Sequence, residues 1–337
     1  YIMKAFIVNK YSKKEKLHLV DRAMPSIQEH QVLVQIHSAG VNLLDSLIRN
    51  GEFKLFLPYK PPFVNGHDMA GVVTQVGSRV SRFKPGDQVY ARVSDYHIGT
   101  FAEYITIDEK DLALKPGNIS MEEAGSIPLV GLTSWQALVE TGKVKKGQKV
   151  FIQAGSGGVG TFAIQLAKHL GAFVATTTSA KNIDLVKSLG ADLVIDYKTQ
   201  DFEEILKGYD LVLHSNRDKK ILEKSLRILK PGGQLISLVG PPTPEFATSM
   251  GLPGYLKFIT KFLSAGAKQK AKKADVRFTF LFMRAEGNQL SEITKFIEAG
   301  IIRPVIDKVF PFEQTNEALA YVEAGRARGK VVVMVKE

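Results

Sequence analysis

The sequence predicts an α/β protein in two parts: a β-dominated domain of barrel type, then a doubly wound parallel sheet. Residues 3 to about 126 alternate short β-rich runs with turn punctuation. Beyond residue 127, runs of β-propensity alternate with helical patterns, which is how βα units of a parallel sheet read. Between the two, the strand pattern Val150-Phe151-Ile152-Gln153 meets the glycine cluster Gly155-Ser156-Gly157-Gly158-Val159-Gly160, and an amphipathic helix follows.

In the first part, Met3 to Val8 goes straight into a strand pattern. Gln31 to Ile36, Ala70 to Val76 and Gln88 to Val93 are further strands, and Pro85-Gly86-Asp87 marks the turn before the last. Gly131 to Thr141 reads as a helix. Strands are then expected at 150–153, 173–178, 193–195, 210–213 and 234–239, with helices at 161–170, 182–188, 201–206 and 218–229. Val276 to Met283 is apolar and β-rich enough for a sixth, outer strand. Leu290 to Ala299 reads as a helix and Val331 to Val335 as a closing strand. The tail from about 285 has no partner left in the parallel sheet, so it is expected to return to the first domain. The expected boundaries are therefore 1–126, 127–284 and 285–337.

Composition narrows the chemistry. The 337 residues include 45% hydrophobic ones, enough for a full core, and no cysteine. Disulfides, a thiol nucleophile and a thiolate metal site are thereby excluded, and a cysteine-free chain fits a reducing cytoplasm. No signal-peptide pattern and no apolar run long enough to span a bilayer is read. The formal net charge of +11 is spread along the chain, with a cluster from Lys268 to Lys273. No nucleic-acid motif accompanies it, so an anionic cofactor and solubility explain it better. Gly251 to Lys273 also holds an apolar stripe at helical spacing: Tyr255, Phe258, Ile259, Phe262 and Leu263. It is expected to cover the substrate pocket with its lysines solvated; a membrane-surface role is the alternative.

Gly155, Gly157 and Gly160 fit G-x-G-x-x-G in the strand–turn–helix context that the motif requires. The first glycine suits a tight turn, the second lets backbone approach a pyrophosphate, and the third lets helix pack on strand. Phosphates then meet the free N–H groups of the helix N-terminus. A site for NAD usually carries Asp or Glu about 20 residues on, to hold the ribose 2′-OH. No acidic residue occurs between Thr141 and Ile183, and the second strand ends in Thr177-Thr178-Ser179-Ala180-Lys181-Asn182. Hydroxyls, an amide and a cation suit a 2′-phosphate, which favours NADP(H).

Several segments line up with one family: Val41-Asn42-Leu43-Leu44-Asp45, Gly66-His67-Asp68-Met69-Ala70-Gly71, Lys84-Pro85-Gly86-Asp87, Ile127-Pro128-Leu129-Val130-Gly131-Leu132-Thr133, the glycine loop, Leu229-Lys230-Pro231-Gly232-Gly233, and Gly329-Lys330-Val331-Val332. Together they resemble the medium-chain dehydrogenase/reductase superfamily, in its zinc-independent quinone oxidoreductase branch. The resemblance implies a GroES-like β-barrel catalytic domain split around a Rossmann domain. It also implies a homodimer joined through the outer sheet strand.

Zinc alcohol dehydrogenases share that resemblance, but they ligate catalytic zinc through an early Cys, the His of a Gly-His-Glu segment and a later Cys. Here Asn42 stands at the first position, His67 is followed by Asp68, and no cysteine exists. Four ligands, or three plus water, are not at hand. No metal is expected, and His67 reads as a packed or hydrogen-bonded histidine. Without a metal an alkoxide is hard to stabilise, whereas a conjugated acceptor spreads its charge onto an oxygen that a few donors can hold. The expected reaction is NADPH-dependent reduction of quinones or small α,β-unsaturated carbonyls. A zinc-free alcohol or aldehyde oxidoreductase, and a non-catalytic NADPH-binding structural or regulatory protein, are the alternatives.

The resemblance assigns residues. Asn42 and Tyr59, the latter in Leu57-Pro58-Tyr59-Lys60-Pro61-Pro62, correspond to the groups near the substrate carbonyl; a turn amide and a packing aromatic are their plainer roles. Ser156, Gly157, Gly158 and Val159 are expected at the pyrophosphate, with Lys330 reaching back to it. Ser179, Lys181 and Tyr197 are expected around the 2′-phosphate. Thr133, Val239, Gly240 and Phe282 are expected near the nicotinamide. Two departures stand out. Phe53 replaces the tyrosine of enoyl-thioester reductases, which argues against that substrate. His214-Ser215-Asn216-Arg217-Asp218 replaces the usual Asp-x-x-Gly-Gly after the fourth strand.

Overall fold

The structure is a computed structural model and describes residues 1–57 and 59–337; Pro58, in the segment around Tyr59, lies outside them. The chain divides into two compact units, Tyr1–Leu132 with Arg284–Glu337, and Thr133–Met283.

The first unit begins with β1 (Ile2–Val8), β2 (His18–Ala23), β3 (Gln31–Val41), β4 (Phe63–Val64), β5 (Asp68–Val76), β6 (Gln88–Arg92), β7 (Tyr104–Asp108) and β8 (Ala113–Leu114). Its helices are α1 (Leu43–Asn50) and α2 (Met121–Gly125). The long strand β3 buries Val32, Val34 and Ile36 at alternate positions, as period-2 patterning requires, and pairs antiparallel with β5. The predicted turn before β6 forms, with Gly86 at φ 94° and the Asp87 side chain accepting from the Lys84 N–H.

The second unit opens inside α3 (Pro128–Trp135), the helix in which the division falls. The predicted helix over Gly131 to Thr141 thus starts earlier, and its end, Gln136–Thr141, winds as a wider π-helix. Then come β9 (Lys149–Ile152), α4 (Gly158–His169), β10 (Phe173–Thr178), α5 (Ile183–Ser188), β11 (Leu193–Asp196), α6 (Phe202–Ile205), β12 (Tyr209–His214), α7 (Lys219–Arg227) and β13 (Leu229–Ser237). α8 (Pro244–Ser249), α9 (Gly254–Lys273) and β14 (Arg277–Phe280) complete it. The six strands are parallel in the order β11-β10-β9-β12-β13-β14. Their order reverses between β9 and β12, which is where such sheets take ligands at the carboxyl ends. The outer strand is shorter than the apolar run Val276 to Met283 suggested: β14 spans Arg277–Phe280.

The return segment forms α10 (Gly287–Glu298), β15 (Ile306–Pro311), α11 (Thr315–Glu323) and β16 (Lys330–Met334). β16 pairs antiparallel with β3, Val331 facing Val41 and Met334 facing Ser38, so the tail lies in the first unit. The resulting sheet runs β15-β16-β3-β5-β6-β8, with β7 also on β3.

Candidate functional site: a buried charge network and a dinucleotide loop

In the first unit, Asn42 ends β3's run and caps α1 from an extended conformation, while its backbone N–H donates to the Asp45 carboxylate at 2.8 Å. The amide of Asn42 is fixed from both ends. Its Nδ2 donates to Asp68 Oδ2 at 2.9 Å, and its Oδ1 accepts from the ammonium of Lys330. Asp68, wholly buried, also accepts the Leu129 N–H at 2.7 Å and lies 3.7 Å from the Lys330 Nζ. Burial pushes the Asp68 carboxyl up and the Lys330 ammonium down, and each charge partly offsets the shift of the other. Beneath them, His67 Nδ1 meets Asp45 Oδ1 at 2.5 Å, and its buried Nε2 has no partner among the described residues.

Lys330, expected at a pyrophosphate, is held within the first unit. Its ammonium is buried against Asn42, Val41 O and Asp68. The reason is electrostatic: a carboxylate as deeply buried as Asp68 requires a paired cation. Asn42 is likewise more tightly held than a free substrate-facing amide. An asparagine offers two N–H groups and two carbonyl lone pairs, so one of each is left.

A catalytic zinc does not fit this site. Asn42 replaces the thiolate, Asp45 holds His67 Nδ1, and a lysine already supplies the positive charge at Asp68. Among the described residues no three metal-ligating side chains cluster. Asp95 and His97 are engaged elsewhere, Asp95 with buried Arg92 at 2.7 Å and His97 Nε2 with Thr106 Oγ1 at 2.9 Å.

Tyr59 lies in the same unit. Its ring packs on Phe63 with centroids 5.1 Å apart, and its backbone carbonyl accepts from Tyr11 Oη at 2.8 Å. Its own hydroxyl is buried and has no hydrogen-bond partner among the described residues. Burial, then the Asp95 carboxylate, raises its pKa above the ordinary phenol value. The hydroxyl thus stays protonated, and a buried donor without an acceptor is costly unless a ligand supplies one.

In the second unit the glycine loop forms as its spacing predicted, with one change of role. The left-handed residue of the turn is Ala154, at φ 53°, and not Gly155. Gly155 is required sterically instead: a Cβ there would lie 2.2 Å from Thr176 Oγ1. At Gly160 a Cβ would lie 2.3 Å from the Ala154 carbonyl oxygen, so the third glycine seats helix on turn. Gly157 is open enough for close approach, its nearest neighbour being 3.4 Å away. Gly158 and Val159 open α4, whose first turn carries no acidic residue. First-turn N–H groups have no intrahelical acceptor, so the loop fits a pyrophosphate.

Ser156 Oγ accepts from Thr178 Oγ1 at 2.9 Å and from Asn182 Nδ2 at 3.4 Å. The same buried amide reaches Ser179 Oγ at 3.4 Å. Asn182 thus ties the pyrophosphate serine to the serine after β10, a link that spacing alone did not reveal. Lys181 and Tyr197 are exposed beside it, and Tyr197 N–H donates to Thr178 O at 3.3 Å, bringing the ends of β10 and β11 together. The structure therefore groups Ser179, Lys181 and Tyr197 at one edge. Val239 and Gly240 follow β13, where Ser237 Oγ donates to Gly240 O at 2.6 Å and accepts from Val239 N–H at 3.3 Å. Phe282 follows β14 and packs on Phe246 with centroids 5.6 Å apart. Thr133 is buried in α3. His214, at the end of β12 beside the strand-order reversal, is buried, and desolvation lowers its pKa to about 4.

The stripe Tyr255, Phe258, Ile259, Phe262 and Leu263 forms one side of a helix, α9. All five side chains are exposed. The buried side is Leu256, Thr260, Ser264, Ala267 and Ala271, whose small residues let the helix sit close to its unit.

Comparisons with known proteins agree with both halves of this picture. Residues 28–117 match a family model described as an alcohol dehydrogenase GroES-like domain, and residues 189–333 one described as a zinc-binding dehydrogenase. The chain is 35% identical to the mitochondrial NAD(P)H oxidoreductase RTN4IP1 of Danio rerio, over 100% of this chain and 92% of that protein. It is 35% identical to the chloroplastic NADPH-dependent alkenal/one oxidoreductase of Arabidopsis thaliana, over 98% of this chain and 79% of that protein. Among solved structures, the quinone oxidoreductase of Coxiella burnetii superposes with a TM-score of 0.84 at 30% identity, covering 100% of both chains.

Proposed function

The chain belongs to the medium-chain dehydrogenase/reductase superfamily, in its zinc-independent quinone oxidoreductase branch, and from that premise we propose that it reduces quinones or small α,β-unsaturated carbonyls with NADPH. When bound, the reduced nicotinamide supplies the hydride. Ser156, Gly157, Gly158 and Val159 bind the pyrophosphate, using backbone N–H groups and the positive end of the α4 dipole. Ser179, Lys181 and Tyr197 bind the 2′-phosphate, where no carboxylate at the end of β10 repels it. Thr133, Val239, Gly240 and Phe282 orient the nicotinamide.

The observation that carries the reading is the buried, unpartnered hydroxyl of Tyr59. It donates a hydrogen bond to the substrate's carbonyl oxygen as negative charge gathers there. Asn42 offers its remaining N–H, oriented by Asp68 and Lys330. Solvent then supplies the proton, to the α-carbon of the enolate that an enone leaves or to the oxygen of the quinol anion that a quinone leaves. The network's own cation, Lys330, makes a metal unnecessary for fixing Asp68 and Asn42.

We further propose a homodimer. The outward edge of β14 pairs with no strand among the described residues, and proteins seldom leave such an edge bare. Two copies pairing these edges across a two-fold axis would close the sheet. Sedimentation at micromolar concentration tests it: a dimer is expected, and a monomer contradicts it. We also propose a reducing compartment such as the cytoplasm, which a cysteine-free composition fits.

The activity is tested by following NADPH and NADH oxidation against quinones, enones, aldehydes and alcohols. Turnover of the conjugated acceptors with NADPH preferred is expected, and Lys181→Ala should weaken NADPH roughly tenfold while sparing NADH. Tight NADPH binding without turnover would favour a non-catalytic role. Turnover of alcohols alone would show that the argument from zinc is wrong.

A further inference from the structure

Helix α9 presents two stripes. One, of small and hydroxyl-bearing residues, is buried. The other, Tyr255, Phe258, Ile259, Phe262 and Leu263, follows i, i+3, i+4, i+7, i+8 spacing and faces water. Phe258 is 63% and Phe262 77% exposed, and their rings touch each other at 6.0 Å. A contiguous aromatic patch of this kind marks an interaction surface rather than scattered surface apolarity.

The charge on the same helix selects the partner. Between Gly254 and Lys273 there are six lysines and no acidic residue. Lys268 is paired with Glu245 and Lys270 with Glu223. Lys257, Lys261, Lys272 and Lys273 are exposed and have no ion-pair partner among the described residues. Lys257 and Lys261 interleave with the apolar stripe, so their stems can lie along it with the ammonium groups at its border. An apolar face on a helix that carries lysines and no acidic residue of its own fits an anionic phospholipid surface: rings enter the headgroup boundary and lysines meet phosphates. Two copies of this helix face to face would set like charges against each other. The helix is not long and apolar enough to cross a bilayer, so it would lie in the interface plane.

We propose that α9 docks the protein onto an anionic phospholipid bilayer through Phe258, Phe262 and their neighbours. The test is co-sedimentation of the full chain with phosphatidylcholine vesicles, with or without phosphatidylglycerol. Binding is expected only with phosphatidylglycerol and should weaken as salt is raised. Phe258→Ser with Phe262→Ser should lower the partition coefficient roughly tenfold or more, and Lys257→Gln with Lys261→Gln roughly tenfold. These side chains are exposed, so unchanged thermal unfolding checks that the variants are folded. Failure to bind anionic vesicles, or equal binding by the Phe258/Phe262 variant, overturns the proposal. So does a variant that instead changes the oligomeric state in vesicle-free solution, which would make the stripe a contact between copies. The readout uses no substrate turnover, so its outcome stands apart from the proposed reaction.

Discussion

The first unit buries Asp45, Asp68, Arg92, Asp95, Asp111 and Lys330, whereas the polar side chains buried among the described residues of the second are Ser, Thr, Asn, Gln and His214. Both units are built for charge, in opposite ways. The second meets an anion with backbone N–H groups and a helix dipole, and needs no buried ion of its own. The first holds buried ions in place before any substrate arrives: Lys330 against Asp68 and Asn42, Asp45 against His67, and Arg92 against Asp95. On the proposed reading, the fixed groups for chemistry lie in the first unit, and the second is a cofactor cradle whose specificity is set at its exposed rim.

The comparison is broken most severely by removing one member of the network. Lys330→Met leaves Asp68 buried without its cation and should cost about 3–5 kcal/mol of stability in chemical denaturation. Adding Asp68→Leu to the same chain should recover much of that loss. If Lys330→Met is as stable as the parent, the network is not what holds this region.

Acid should separate the units next. In the second, His214 has its pKa lowered from 6.5 to about 4 by burial. Between those values the unfolded chain takes up a proton that the folded chain does not. Stability therefore falls as pH drops through this window, by at most roughly 3 kcal/mol, and the loss is complete below the lower value. In the first, burial raises Asp111 from 3.8 to about 6, so the folded chain binds the proton more readily. That contribution is largest below the lower value and is lost as pH rises through the folded one. Unfolding measured against pH should show opposite changes in slope for His214→Leu and Asp111→Asn; slopes of the same sign would contradict the contrast.

A smaller effect is expected in the cradle. Gly160→Ala places a Cβ against the Ala154 carbonyl and should cost roughly 1–3 kcal/mol, with NADPH binding lost in proportion. Calorimetric titration checks it, and unchanged affinity would mean that the loop is looser than its geometry.

The second unit was largely legible in the sequence because its signals are local. The glycine loop, the strand–helix alternation and the missing acid after β10 all lie within a short stretch of chain. The network of the first unit was not, because its members are far apart: Lys330 and Asn42 are separated by 288 positions. No spacing rule links them, and only the pairing of β16 with β3 brings them together. Resemblance marked Asn42 and Tyr59 as residues to watch, but not the contacts that hold one and leave the other without an acceptor. For α9 the periodicity was legible, but which stripe packs inward was not. Two stripes with helical spacing coexist, and the less hydrophobic one packs inward because its small residues permit close approach.

The central claim is that Tyr59 supplies the hydrogen bond for a metal-free reduction. It is tested most directly by single-turnover oxidation of bound NADPH by a small enone, in the parent and Tyr59→Phe, before and after prolonged chelation. The account predicts that chelation changes nothing and that Tyr59→Phe slows the step roughly a hundredfold with NADPH affinity unchanged. Equal rates in the two proteins, or loss of the reaction on chelation, would contradict it.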